Sequence, residues 1–242
     1  MSRLVIVVPA YNAARHLRGV VERIVAAAPA RLHAIVIVDD GSGDETLALA
    51  RALTATHPLL SVVARPRNGG YGAAMKDGLA AARAAGADVV AGVHADGQYS
   101  PEALAHLLAE LARRQLDLLQ GSRIAAGGAR GARAGGMPRY KIAGNWALNQ
   151  LERRVLRLPL TDFHSGYLIY GARALNTIQF SRLSDSFDFD MEVIASARSR
   201  GLAIGEAPIP THYGDEVSYL NPVTYGLRVL RVMWRYKRGV YA

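Results

Sequence analysis

The chain has 242 residues, half of them hydrophobic and a fifth charged, which is the composition of a single globular domain with a full-sized core. Because it contains no cysteine, disulfides, thiolate metal sites and a cysteine nucleophile are excluded. The formal net charge of +9 predicts an anionic partner, whether a nucleic acid, a phospholipid surface or a phosphorylated small molecule. The sequence shows neither a signal peptide nor a run of about 18 apolar residues, so we expect a cytoplasmic protein without a membrane-spanning segment.

The first 121 residues alternate between strand patterns and helix patterns. The predicted strands lie at 4–8, 35–38, 60–64, 89–93 and 117–121, and the predicted helices lie at 14–28, 44–57, 72–86 and 101–115. The helices show apolar residues at three-and-four spacing, and several strands are apolar on both faces, as in a parallel sheet that is covered on both sides. The alternation predicts an α/β fold, a three-layer sandwich with a mostly parallel central sheet.

The pattern changes after residue 122. The Gly-, Ala- and Arg-rich stretch 127–136 has no apolar periodicity and is long enough to predict an active-site loop. The later predicted elements are helices at 141–156 and 190–200, strands at 166–170 and 203–208, and a basic amphipathic helix from residue 223. We therefore expect one domain over residues 1–222, with halves 1–121 and 122–222, followed by a C-terminal helix at 223–242.

Polar residues follow three of the predicted strands at their carboxyl ends. The second strand runs straight into Asp39, Asp40 and a glycine-rich turn, the first leads to Asn12, and the fourth leads to Asp96. Ligands of open α/β sheets bind at the carboxyl ends of strands, so the three loops are expected to converge on one crevice. Asp39 is suited to accept hydrogen bonds from ribose hydroxyls or a base edge. The alternative is that Asp39 and Asp40 only cap the turn.

Short motifs recur in a fixed order along nearly the whole chain. In the first half they are Val8-Pro-Ala-Tyr-Asn12, Val38-Asp-Asp-Gly-Ser42, Arg67-Asn-Gly-Gly-Tyr-Gly72 and Ala95-Asp-Gly-Gln98. In the second half they are Gly121-Ser-Arg123, Asp162-Phe-His-Ser-Gly166, Phe187-Asp-Phe-Asp-Met-Glu192 and Pro208-Ile-Pro-Thr211. Each motif is weak alone, but together they make the chain resemble the family 2 glycosyltransferases. Within that family it is similar to the polyprenyl-phosphate (dolichyl-phosphate-like) mannosyl- and glucosyltransferases.

The resemblance implies a GT-A fold, a Rossmann-like sandwich in which residues 1–121 hold a nucleotide-sugar and residues 122–222 hold the acceptor. The donor-binding residues that it implies are Pro9, Tyr11, Asn12, Asp39, Asp40, Gly69, Lys76, His94, Ala95 and Asp96. The glycines at 69–72 would let the backbone approach a ligand closely, and a tight turn is their alternative role. Their spacing does not match the G-x-G-x-x-G dinucleotide fingerprint.

The resemblance also implies a divalent cation. Asp96 and Gln98 resemble the second acid and the glutamine of the family's Asp-Ala-Asp-x-Gln element, which holds Mg²⁺ or Mn²⁺ against the donor diphosphate and makes Asp96 catalytic. His94 stands where the family has its first acid. Hard cations prefer oxygen ligands and Mn²⁺ also accepts imidazole, so His94 is either a metal ligand or a residue that hydrogen-bonds the sugar or a phosphate.

Candidates for the acceptor side lie in the second half. Transfer to a hydroxyl group needs a carboxylate that takes the proton, and Asp190 is the candidate for this catalytic role. A phosphate acceptor is already anionic, so the protein need only hold it in line and neutralise it. Arg123 and Arg139 are the candidates for binding such a phosphate, since guanidinium groups bind phosphate oxygens in pairs. For Asp188 and Glu192, capping of the predicted helix is an alternative role.

Together these features predict an inverting, metal-dependent hexosyltransferase that moves a sugar from GDP-mannose or UDP-glucose to a polyprenyl phosphate at the inner face of a membrane. The alternatives are a soluble or polysaccharide-precursor acceptor, or a non-catalytic relative that binds nucleotide-sugars. A nucleic-acid partner would explain the charge but none of the motifs, so we expect none, whereas a homo-oligomer stays open. The C-terminal helix is either docked on the core or laid on an anionic bilayer.

Overall fold

The computed structural model describes residues 2–27, 31–125, 139–210 and 222–242. The strands in these ranges are β1 (Leu4–Ala10), β2 (Leu32–Asp39), β3 (Leu60–Ala64), β4 (Val89–Gly92), β5 (Leu118–Ser122), β6 (Leu168–Gly171) and β7 (Ile204–Pro208). They form one sheet in the order β3-β2-β1-β4-β6-β5-β7. The sheet is mostly parallel, as expected from the alternation of strands and helices.

The helices match the periodicity closely. They are α1 (Ala14–Ala27), α2 (Thr46–Thr54), α3 (Tyr71–Ala84), α4 (Leu104–Arg113), α5 (Arg139–Leu156), α6 (Ala172–Thr177), α7 (Phe189–Ser199) and α8 (Pro222–Lys237). The helix predicted at 44–57 is shorter than expected, since Asp44 lies outside α2 and accepts a hydrogen bond from Thr46 N (3.0 Å). The helix predicted at 101–115 starts as a 3₁₀ turn at Pro101–Ala103. Short α6 was not predicted, because a helix of six residues shows too little periodicity.

One strand runs against the rest. β6 pairs antiparallel with both β4 and β5, whereas the other neighbouring pairs are parallel. The start of β6 therefore lies at the sheet edge where β4 and β5 end. As a consequence, residues 162–167, which precede β6, come to the same edge as the loops that follow β1, β2 and β4.

The sheet is covered on both faces, which makes three layers. Side chains of β1 alternate between the two sides, as the strand period of two requires. Val5 and Val7 pack in the core that includes Met75 of α3 and Val193 of α7. Leu4, Ile6 and Val8 pack in the opposite core, which includes residues of α1 and α4 such as Leu17, Ile24, Leu104 and Leu107.

The C-terminal helix α8 is docked on the body of the protein. Its own residues Val229, Val232 and Met233 are buried against that body. Two of its arginines pair with acids of the α7 region, Arg228 with Asp188 and Arg235 with Glu192. No helix in the described ranges is both long enough and apolar enough to cross a bilayer.

The pairing of α8 with α7 corrects the capping role considered for Asp188 and Glu192. Asp188 takes the N-cap position of α7 but makes no side-chain capping bond there. Its carboxylate accepts a hydrogen bond from Ser184 Oγ (2.8 Å) instead. Glu192 is fully buried and accepts a hydrogen bond from Tyr241 Oη (2.6 Å). Both acids therefore serve to attach the C-terminal segment.

Candidate functional site

Three strand ends meet at one edge of the sheet. β1 lies between β2 and β4 and runs parallel to both, with Ala10 opposite Asp39 and Val7 opposite Gly92. The loops after these strands therefore leave the sheet side by side. This arrangement matches the expected convergence of the three loops on one crevice.

Asp39 is the most deeply buried acid in this crevice, with 1% of its surface exposed. Its Oδ2 accepts a hydrogen bond from the backbone N–H of Ser42 (3.3 Å), so it does hold the turn. Its Oδ1 is buried and has no hydrogen-bond partner among the residues that the structure describes. A buried acceptor without a partner costs roughly 1–3 kcal/mol, which a donating hydroxyl or N–H group of a ligand would recover. Asp39 thus has one oxygen for the fold and one for a ligand.

The loop after β1 is joined to the loop after β2. Asn12 has a positive φ of 50°, its Oδ1 accepts a hydrogen bond from Gly43 N (2.9 Å), and its own N–H donates to Ser42 Oγ (3.0 Å). Asn12 therefore braces the site. Pro9 lies within β1 opposite Val38, and the Tyr11 ring is 39% exposed, so Tyr11 has the surface to contact a nucleotide.

Asp40 has a structural role that the sequence did not reveal. Its carboxylate accepts hydrogen bonds from the backbone N–H groups of Gly69 and Gly70 (both 2.9 Å) and pairs with Arg65. Asp40 and the Gly69 backbone are thus occupied with each other. These contacts fix the loop that starts α3. The donor-binding role given to Asp40 and Gly69 stays a prediction.

The glycine-rich loop approaches the protein's own backbone rather than an open space. Gly70 has a φ of +99°, and a Cβ there would lie 2.5 Å from the carbonyl oxygen of Asp185. Lys76, on the following helix, donates to the carbonyl oxygen of Leu183 (3.1 Å) and pairs with Asp185. The close approach of the segment around residue 185 thus accounts for a glycine at position 70 and for the contacts of Lys76. The donor-binding role of Lys76 stays a prediction.

The loop after β4 carries the residues expected to bind a cation. Asp96 is partly exposed, and its Oδ1 accepts a hydrogen bond from the backbone N–H of Gln98 (3.0 Å). No three His, Asp or Glu side chains in the described residues converge as a metal site. A carboxylate and an amide oxygen suit Mg²⁺ or Mn²⁺ only as part of a shell that phosphate oxygens complete. The residues therefore fit a cation that arrives with a diphosphate. Ala95 is buried in the core, so only its backbone is available.

His94 is hydrogen-bonded to a residue that the sequence analysis had not singled out. Its Nε2 lies 3.2 Å from the hydroxyl oxygen of Tyr71, the first residue of α3, and that hydroxyl donates to Asp190 Oδ2 (2.9 Å). Burial lowers the pKa of His94 against the opposing charge of Asp96, which favours a neutral imidazole. The side chains of His94, Tyr71 and Asp190 thus form one hydrogen-bonded triad that joins three elements of the fold.

Asp190 is a buried carboxyl group near this edge whose pKa is raised. Only 7% of Asp190 is exposed, and within the described part of the chain its buried Oδ1 has no hydrogen-bond partner. Burial raises the pKa of Asp190 to about 7, although the hydrogen bond from Tyr71 lowers it. A carboxyl group with such a pKa exchanges protons near neutral pH, as an acid–base residue must.

Arg123 is held by a carboxylate in the loop before β6. Its Nε and Nη2 donate to the two oxygens of Asp162 (2.7 and 2.8 Å), and Nη2 also donates to the carbonyl oxygen of His164 (2.9 Å). His164 in turn contacts Tyr225 of α8 through Nδ1 (2.9 Å). Arg123 lies just beyond the end of β5, at the same sheet edge as the donor-side loops, and its acceptor-binding role stays a prediction.

Two expectations fall where the structure gives no side-chain placement. Arg139 is the first residue of α5, and its side chain lies outside the described part of the molecule. The loop predicted at 127–136 lies outside the described residues altogether. Sequence reasoning missed Tyr71 and Asp162 as site residues, although both lie within motifs that it quoted.

Comparison with known proteins identifies a family. The sequence model of glycosyl transferase family 2 matches residues 5–178. The chain is 31% identical to the polyprenol monophosphomannose synthase of Mycolicibacterium smegmatis over 86% of its length and 77% of that protein. It is also 31% identical to the undecaprenyl-phosphate mannosyltransferase of Micrococcus luteus, over 86% of this chain and 82% of the relative.

Solved structures share the fold. The glucosyl-3-phosphoglycerate synthase of Mycobacterium tuberculosis in complex with uridine diphosphate superimposes with a TM-score of 0.71 at 17% identity, over 97% of this chain and 80% of that chain. A second structure of the same enzyme, with Mn²⁺, uridine diphosphate and glucosyl-3-phosphoglycerate, gives a TM-score of 0.69 at 16% identity, with the same coverage. The GT-A-type α/β fold expected from the motifs is confirmed.

Proposed function

The chain belongs to glycosyl transferase family 2, and from this premise we propose that it is an inverting hexosyltransferase that moves a sugar from a nucleoside diphosphate-sugar to a polyprenyl phosphate. GDP-mannose and UDP-glucose are the donors to test first. The observation that carries the proposal is the placement of the unpaired Asp39 Oδ1 at the same sheet edge as the Asp96–Gln98 turn. A ribose hydroxyl and a diphosphate of one donor would engage these two groups.

Donor binding divides between the two loops. Asp39 Oδ1 accepts a hydrogen bond from the nucleoside, and Tyr11 covers one side of it. Asp96 and Gln98 would hold Mg²⁺ or Mn²⁺, which would neutralise charge on the departing diphosphate. Position 94 supplies an imidazole where the family's Asp-Ala-Asp-x-Gln element implies an acid, so the diphosphate would provide a larger share of the ligand oxygens.

The relatives named for polyprenol and undecaprenyl phosphate support a lipid phosphate as the acceptor. A phosphate oxygen is anionic near neutral pH, so no protein base has to remove a proton from it. Arg123 and Arg139 bind this phosphate, and Asp162 fixes the plane of the Arg123 guanidinium. The N-terminus of α5, where Arg139 lies, adds a favourable dipole for an anion.

Transfer is then a single displacement. The bond between the anomeric carbon and the acceptor phosphate oxygen forms on the face opposite the diphosphate. The bond to the diphosphate oxygen breaks, and the nucleoside diphosphate leaves with both electrons, so the configuration inverts. Alignment and charge neutralisation supply the catalysis. Asp190 then accepts a hydrogen bond from a hydroxyl group of the transferred sugar, rather than a proton from the acceptor.

The proposal includes action at the cytoplasmic face of a membrane. The outward face of α8 carries Leu227, Leu230 and Trp234, which are 63, 46 and 58% exposed. Trp146 of α5, the helix against which α8 packs, is 65% exposed. α8 contains no acidic residue, and Arg228, Arg231 and Lys237 are exposed along it. Exposed tryptophan and leucine with a basic surround suit the interface of an anionic bilayer.

The test is a transfer assay with matched acceptors. The purified chain is incubated with GDP-mannose or UDP-glucose and Mg²⁺ or Mn²⁺, and polyprenyl phosphate in micelles is compared with the same polyprenol lacking phosphate. Sugar should appear on the lipid phosphate alone. Robust transfer to a hydroxyl acceptor with the lipid phosphate inert would overturn the acceptor assignment, and donor binding without turnover would identify a non-catalytic relative.

A further inference from the structure

Tyr71 occupies the junction between two groups of the site. It is the first residue of α3, directly after the loop that Asp40 holds. Its hydroxyl oxygen lies 3.2 Å from His94 Nε2 and donates to Asp190 Oδ2 at 2.9 Å. His94 follows β4 and Asp190 lies in the first turn of α7, so this one hydroxyl joins three elements of the fold.

The chemistry of the three groups sets the direction of the hydrogen bonds. An ionised carboxylate only accepts, so Tyr71 spends its single proton on Asp190. The lone pairs of the Tyr71 oxygen are then free to accept a hydrogen bond from His94 Nε2–H.

The surrounding packing keeps the three hydrogen-bonded side chains in place. Phe187 stacks parallel to the Tyr71 ring at 6.1 Å between centroids, and Phe189 meets it edge-on at 6.4 Å. Gly166 lies beside both His94 and Asp190. A Cβ there would be 2.6 Å from His94 Cε1 and 3.5 Å from Asp190 Oδ2, so only glycine leaves room for the imidazole.

We propose that Tyr71 is a positioning residue for transfer: it holds Asp190 through Oδ2, leaves the buried and unpaired Oδ1 to accept a hydrogen bond from a substrate hydroxyl group, and fixes the orientation of His94. This inference rests on the proposed function, because it assigns Asp190 a partner on the bound substrates. It adds a residue that neither the motifs nor the relatives' names assign.

The ionisation of Asp190 provides a measurable consequence. Burial raises its pKa to about 7, and the hydrogen bond from Tyr71 opposes that rise. The other titratable groups near it are His94, which approaches it across Gly166 and Tyr71, and the hydroxyls of Tyr170 in β6 and Tyr225 in α8. Removing the Tyr71 hydroxyl should therefore raise the pKa of Asp190 further, so that a smaller fraction of the carboxyl is ionised at neutral pH.

The experiment compares Tyr71→Phe with Tyr170→Phe. Tyr170 is a matched control, since its hydroxyl is also buried near Asp190 but has no hydrogen-bond partner in the described structure. In Tyr71→Phe, kcat should fall by about tenfold near neutral pH. The acidic limb of the pH profile of kcat should move to higher pH, so that kcat recovers in part in mildly alkaline buffer. An equal loss at every pH, or the same limb shift in Tyr170→Phe, would overturn the proposal.

A second readout separates this inference from the proposed function. The carboxyl carbon of Asp190, followed by NMR in wild type and Tyr71→Phe, should titrate at a higher pH in the variant whether or not transfer is observed. A changed titration with an unchanged kcat would refute the positioning role. In a double-mutant cycle, adding Tyr71→Phe to Asp190→Asn should lower kcat by less than a further twofold. Full additivity of the two effects on kcat would show that the residues act independently and would overturn the proposal.

Discussion

Arg123 Nε lies 2.7 Å from Asp162 Oδ2, and this pair is buried, with 9% of the arginine side chain and none of the aspartate side chain exposed. Burial alone raises the pKa of Asp162, but the charge of Arg123 and its hydrogen bonds outweigh burial, so the pKa lies below its ordinary value. The pair connects the end of β5 to the loop before β6. It therefore ties the end of β5 to a loop that reaches the site edge only because β6 runs antiparallel to its two neighbours.

The first prediction concerns this pair. Asp162→Asn leaves a buried guanidinium without its counter-charge, which typically costs about 3–5 kcal/mol of unfolding free energy. We expect a lower denaturation midpoint in urea. Arg123→Ala should show a similar loss together with a raised KM for the acceptor and little change in donor affinity. Unaltered stability in Asp162→Asn would contradict the structural role of the pair.

The same pair predicts an acid-sensitive part of the stability. The folded-state pKa of Asp162 lies below its unfolded value of about 3.9, so its contribution is complete above that value and is lost as pH falls through the folded-state pKa. Wild type should therefore lose stability in acid more steeply than Asp162→Asn does. Parallel stability curves for the two proteins would show that this carboxylate does not contribute.

The second prediction separates Asp39 from Asp40. Asp39→Ala removes the unpaired acceptor Oδ1 together with the one hydrogen bond from Ser42, so donor binding should weaken by roughly tenfold or more while the urea midpoint falls only slightly. Asp40→Ala removes the partner of Arg65, Gly69 and Gly70, so the urea midpoint should fall. Calorimetric titration with nucleotide and urea unfolding provide the two measurements, and the converse pattern would reverse the assignments.

The third prediction concerns the cation. Asp96→Ala should abolish the rise in melting temperature that Mn²⁺ produces in the presence of a nucleoside diphosphate, since stabilisation by a ligand follows mass action. His94→Asp restores an acid at position 94 and should tighten Mg²⁺ binding if that side chain faces the ion. An unchanged metal affinity would show that the side chain at position 94 does not contact the ion and that His94 acts through its hydrogen bond with Tyr71. Wild-type turnover in Asp96→Ala at saturating metal would refute the cation assignment.

The fourth prediction concerns the exposed apolar residues of α5 and α8. Trp234→Ala and Trp146→Ala should each weaken binding to vesicles containing anionic phospholipid by roughly tenfold, since burying a large apolar side chain is worth about 1.5–3 kcal/mol. Leu59→Ala is the control, because Leu59 is also exposed but precedes β3. Flotation assays measure the binding. Equal effects of all three substitutions, or none from either tryptophan, would argue against this membrane face.

The sequence by itself determined the local elements and the order of the motifs. Apolar spacing located the strands and the long helices to within a few residues, because burial on one face or both leaves a period that a single segment records. The positions of Asp39 and Asp96 just after predicted strands also pointed to the site, because ligands of open α/β sheets bind at the carboxyl ends of strands. The sequence also contained the family resemblance, which the comparisons confirmed.

Only the tertiary structure decided which distant groups pair. The hydrogen bond of Tyr71 to Asp190 spans 119 residues, and the pair of Arg123 with Asp162 spans 39. Nothing local specifies such contacts, because a buried polar group is satisfied by whatever partner the packed elements bring within about 3 Å. The direction of β6, the attachment of α8 through Glu192 and the role of Asp40 in holding the glycine loop all depend on that packing.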